Sequence, residues 1–92
     1  MIGNDAVIKK NKDMPWRMIE EEAIVVDVDK SEVIYLNEVG ALIWKLIAEN
    51  ESVGFGDIID NICDVFDVQK DEAQEDALEF LNGLFEKEVI CY

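Results

Sequence analysis

The spacing of apolar and polar residues changes along this chain, and each change marks a boundary. From Trp16 to Leu36 the period is two. "WRMIE" alternates Trp16, Met18 and Glu20 against Arg17 and Ile19. "AIVVDV" is rich in β-branched residues, with Ile24, Val26 and Val28 on one face. "VIYL" sets Val33 and Tyr35 on one face and Ile34 and Leu36 on the other. Alternation of this kind predicts strands. The connections, Glu20-Glu21-Glu22 and Asp29-Lys30-Ser31-Glu32, are short and polar. They predict a three-stranded antiparallel meander.

At Asn37 the period becomes helical. Asn37 is a good N-cap, and Glu38 places an acid where the helix dipole favours one. Val39, Leu42, Ile43, Leu46 and Ile47 follow at i, i+3, i+4, i+7 spacing, with an end expected near Asn50. "ENESVGFG" reads as a loop. Phe55, Ile58, Ile59, Ile62 and Phe66 predict a second helix, and a third runs from about Lys70 to Lys87. On a helical wheel the apolar residues of the third helix (Ala73, Ala77, Leu78, Phe80, Leu81, Leu84, Phe85) cover roughly 160°, wider than the ~100° a surface helix needs. That helix either packs between two elements of its own domain or offers one edge to a partner.

The ends are less regular. Residues 1–13 carry three of the eight basic residues and little periodicity, which predicts a flexible N-terminal arm, with Val7 and Ile8 as its docking candidates. Pro15 ends the arm and favours an extended Met14. Residues 14–92 are expected to form a single domain. "VICY" closes the chain as a short strand or a packed tail.

Composition narrows the function. The chain has 92 residues, a net charge of −14 and no histidine. Phosphate binding needs Lys and Arg to displace counterions, so nucleic acid is disfavoured as a partner, as is an anionic membrane surface. A basic or largely apolar partner fits better. Without histidine the commonest general base is missing. The acids of the third helix (Asp71, Glu72, Glu75, Asp76, Glu79) sit on its polar face, where solvation is their ordinary role. Cys63 and Cys91 form no CxxC pair, and no zinc site is expected. No run approaches the ~18 apolar residues of a membrane span. No charged-then-apolar leader opens the chain, and a reducing cytoplasm is the expected compartment.

Two motifs imitate known sites. Asp27, Asp29, Ser31 and Glu38 fall at calcium-loop spacing, but Glu32 stands where the sharp turn needs Gly, and a strand stands where a helix should enter. Ser52 precedes a helix as the modified serine of an acyl carrier protein does, but Glu51 replaces the Asp before it and strands replace the first helix. Neither is adopted, and no metal or cofactor is expected.

Three strands followed by three helices is an α+β, winged-helix-like order. Within it, Leu36, Asn37, Gly40, Ile43, Trp44 and Leu46 match a Leu-Asn-x-x-Gly-x-x-Ile-Trp-x-Leu run. With "DIIDNICDVFDV" and "DEAQEDALEFLNGLFEKEVI", the chain from about Trp16 to Ile90 resembles the PqqD-like family. The resemblance implies a non-catalytic module, a peptide chaperone or recognition element of pathways that modify ribosomally made peptides. It further implies that the leader of a precursor peptide binds as an added strand beside the third strand, walled by the third helix. The leader is then presented to a modifying enzyme, often one using radical S-adenosylmethionine chemistry. Transferred here, the strand is Glu32, Val33, Ile34, Tyr35 and Leu36, and the wall is Ala73, Asp76, Ala77, Phe80 and Leu84. An edge strand without Lys or Pro to blunt it suits that role, and it can also pair with its own copy, leaving monomer and homodimer as alternatives.

Two departures concern helix ends. Glu88 replaces the usual Gly after the third helix, and Gln69 or Asp67 stands in the cap position before it. Trp44 is expected in the core, where truncation costs ~3–5 kcal/mol. The competing readings are a docking subunit of an enzyme complex and a winged-helix nucleic-acid binder. The acidic "DEAQEDALEF" opposes the second.

Overall fold

The computed structural model describes residues 2–92. Met1 of the expected arm lies outside them. The strands of the meander are β2 (Trp16–Ile19), β3 (Glu22–Asp27) and β4 (Glu32–Leu36), in the order β2-β3-β4 and antiparallel throughout. They are followed by α1 (Glu38–Glu49), α2 (Phe55–Phe66) and α3 (Lys70–Glu86). This is the α+β, winged-helix-like arrangement expected.

The strand-to-helix junction is built as the sequence predicts. Asn37 is the N-cap of α1, and its Oδ1 accepts the Gly40 N–H at 2.9 Å. The side-chain oxygen takes up a helix-start donor that has no partner within the helix. Trp44 is buried with Ile43 and Ile47 in the core, and its indole Nε1 has no hydrogen-bond partner among the described residues.

The arm differs from expectation. Val7–Lys10 is a strand, β1, at the centre of a second small sheet of order β5-β1-β6, with β5 at Val53–Gly54 and β6 at Ile90–Cys91. Ile8 pairs with Val53 and Lys10 with Ile90. Ile2 and Ile8 are buried, which gives the segment its reason to order. Asn11 holds the far end: its Nδ2 donates to the carbonyls of Glu88 and Ile90, each at 3.0 Å. "VICY" therefore contributes a short strand.

The face of β3 that turns inward is Ala23, Val25 and Asp27, and not the face of Ile24, Val26 and Val28. Asp27 is 1% exposed and is met by Lys12 Nζ at 2.9 Å and by the Lys30 N–H at 3.3 Å. The hydrogen bond from Lys12 holds its carboxyl below the usual range, against the opposing effect of burial. The same hydrogen bond raises the Lys12 pKa. Asp29 lies 3.5 Å from the same ammonium, so the first two acids of the calcium-like run are engaged by a lysine.

α3 ends in a complete Schellman motif. Val89 N–H donates to the Leu84 carbonyl and Glu88 N–H to that of Phe85, each at 3.0 Å. Glu88 has φ 63°, the left-handed conformation that favours Gly.

Candidate functional site

β4 is an edge strand, and its free edge can be assigned. Val26 N–H donates to the Pro15 carbonyl at 2.8 Å, so the even residues of β3 point their backbone groups to the β2 side. Those of Ala23, Val25 and Asp27 then point to β4, where their partners are Leu36, Ile34 and Glu32. The N–H and C=O groups of Val33 and Tyr35 are left facing outward, and no strand covers them among the described residues. The side chains of both are exposed, Val33 at 47% and Tyr35 at 80%.

Beside that edge runs a cleft of about 450 Å³. One wall is Ile34, Tyr35 and Leu36 of β4, and the floor includes Asn37, Val39 and Gly40. The other wall is α3, through Asp76, Glu79, Phe80, Gly83 and Leu84, with Lys87 just beyond it. Asp76, Phe80, Gly83 and Lys87 follow i, i+4, i+7, i+11 spacing, one stripe of the helix. Lys87 pairs with Glu32 and closes one end of the cleft, while Lys30 Nζ donates to the Lys87 carbonyl at 2.6 Å. With that lysine neutralised, Asp76 and Glu79 give the rest of the cleft a negative charge.

The sequence expectations divide. Ile34, Tyr35, Leu36, Asp76, Phe80 and Leu84 come together in the cleft. Glu32 and Val33 belong to the same strand without lining it. Ala73 and Ala77 do not line it: both are 0% exposed, in the part of the apolar arc of α3 that enters the core with Leu81. α3 thus does both things its wide arc allowed, burying its middle and turning the Phe80 edge to the cleft. Its opposite edge is exposed at Phe85, whose ring lies 4.9 Å from that of Tyr92.

Asn37, Val39, Gly40, Gly83 and Lys87 were not expected at the site. Gly40 and Gly83 act differently there. A Cβ on Gly40 would come within 2.8 Å of Phe80 Cε1, whereas one on Gly83 would meet no heavy atom of the described residues within 4 Å beyond its chain neighbours and the adjoining helix backbone. A glycine inside a helix costs roughly 0.5–1 kcal/mol relative to alanine. At Gly40 the close approach of the ring requires it. At Gly83 no neighbour among the described residues does.

No helix among the described residues is long and apolar enough to cross a membrane. A family profile described as "Coenzyme PQQ synthesis protein D (PqqD)" matches residues 22–90. Among solved structures, the chain is similar to one described as "TbiB1 in Complex with the TbiA(beta) Leader Peptide", at 26% identity and a TM-score of 0.78. That similarity covers 89% of this chain and 93% of the other. No curated protein matches.

Proposed function

The chain belongs to the PqqD family, whose profile runs from β3 to the start of β6, and from that premise we propose that it binds the leader of a ribosomally made precursor peptide. The leader adds as a strand to β4, against α3, and is presented to a modifying enzyme. The protein supplies binding and orientation, and the chemistry belongs to the enzyme. Radical S-adenosylmethionine enzymes are the class the family resemblance suggests.

The observation that carries this reading is the free edge of β4 facing α3 across an open cleft. Backbone groups left unpaired on an edge strand must be covered, blunted or used. This edge carries neither Lys nor Pro within Glu32–Leu36 and borders apolar side chains. Strand addition uses such an edge directly: main-chain bonds supply affinity, and alternate side chains supply selectivity. The similarity to TbiB1, described in complex with a leader peptide, supports the same reading. The acids Asp76 and Glu79 favour a leader with a basic residue near Phe80. The overall charge of −14 also disfavours a second copy on this edge relative to a basic peptide.

The test uses peptides enriched on the protein from a randomised library, measured by calorimetry against wild type and Tyr35→Pro. Proline at Tyr35 removes an outward N–H without breaking a β3–β4 ladder bond. The variant is expected to fold and to lose binding. A folded variant that binds with unchanged affinity would refute strand addition at this edge.

A further inference from the structure

Gly83 stands in the stripe of α3 that walls the cleft, yet nothing among the described residues requires glycine there. No glycine among the described residues has a positive φ, so the position makes no demand that other residues cannot meet. A Cβ on it would meet nothing within 4 Å. Glycine at such a place lowers helix stability with no compensating contact in the folded protein. Gly83 lines the cleft together with Ile34, Leu36, Phe80 and Leu84.

We propose that Gly83 is a specificity-determining residue, whose missing side chain leaves a bay in the α3 wall for one bulky apolar side chain of a bound, extended peptide. The proposal rests on the strand-addition reading above. Successive side chains of an added strand point to opposite faces of the sheet. A peptide residue standing opposite Ile34 turns to the same face as Ile34, which is the face toward α3. An aromatic or long aliphatic side chain at that place has Ile34 and Leu36 on one side and Phe80 and Leu84 on the other. The Gly83 backbone lies where a side chain would otherwise meet it. Burial of apolar area then rewards the larger residue.

The test compares wild type, Gly83→Ala and Tyr35→Pro, using peptides selected on wild type from a randomised library. The selected peptides should share one bulky apolar position. Gly83→Ala should raise the melting temperature by a few degrees, because the added methyl meets open space. The same variant should bind the selected peptides about tenfold more weakly, because the methyl intrudes on the bay. Selection repeated on Gly83→Ala should shift that position to smaller residues. Unchanged affinity for Gly83→Ala, a lowered melting temperature, or selected peptides without a bulky apolar position would each overturn the proposal. If Tyr35→Pro abolishes binding in that case, strand addition survives it. If Tyr35→Pro binds as wild type does, both fall together.

Discussion

The ring of Phe80 lies against the backbone of Gly40, so that a methyl group on Gly40 would stand 2.8 Å from Phe80 Cε1. This contact joins the first turn of α1 to the wall of the cleft. Gly40→Ala gains helix propensity but forces the ring to move into the space a peptide would use. We expect little net change in stability and a several-fold loss of peptide affinity. Phe80→Ala should cost about 2 kcal/mol, less than the ~3–5 of a fully buried ring, because Phe80 is only half-buried. It should also lose affinity beyond that of Gly40→Ala. Thermal melts and calorimetry on the two variants separate packing from binding.

Glu88 adopts a left-handed conformation at the end of α3, where its hydrogen bonds complete a Schellman motif. A side chain with a Cβ is disfavoured there by about 1 kcal/mol relative to Gly. Glu88→Gly should therefore stabilise the protein by about that amount, which for a domain of this size raises Tm by about 4–8 °C. Glu88→Val should destabilise it, since a β-branched residue tolerates positive φ poorly. Calorimetric melts of the two variants check the sign of each effect.

Much of this was legible in local pattern, and the misses share a cause. The cap at Asn37, the three strands of the meander and the three helices follow from spacing and short-range chemistry. Glu88 could be read as standing where Gly is usual, and its φ of 63° gives the reason. The strand Val7–Lys10 looks like a loose arm in the sequence because four residues show no period, and its partners are two-residue strands far away in sequence. The inward face of β3 was equally hidden. Alternation shows that Ile24 and Val26 share a face, but packing decides that Ala23, Val25 and Asp27 go inside. The family resemblance puts Ala73 and Ala77 in the cleft wall, and a helical wheel cannot correct that, because it gives an arc without its orientation. The close approach of Phe80 and Gly40, and the open space at Gly83, are tertiary facts with no local signature.

Acid should act on the fold in two opposite ways. Asp27 binds its proton less readily in the folded protein than in the unfolded chain, chiefly through the Lys12 hydrogen bond. Its contribution is present above the unfolded carboxylate range, about pH 4, and is lost as pH falls through the lower folded value. Glu38 is raised, first by the charge of Glu21, then by burial, then by further interaction with Glu21 and Glu22. Its penalty is present above the raised folded value and is relieved as pH falls through it. Stability should therefore rise slightly just above the carboxylate range and then fall at lower pH. Urea midpoints across acid pH should show both limbs. Asp27→Asn should flatten the lower limb, and Glu38→Gln should remove the small rise.

The claim that a peptide pairs with the free edge of β4 is tested most directly by amide hydrogen exchange resolved to single residues, with and without a peptide selected on the protein. The N–H groups of Val33 and Tyr35 face outward and should exchange quickly in the free protein. Those of Ile34 and Leu36 are already bonded to β3 and should be slow in both states. Saturating peptide should slow Val33 and Tyr35 while leaving Ile34 and Leu36 nearly unchanged. Peptide bound at saturation with Val33 and Tyr35 still exchanging as in the free protein would contradict the account.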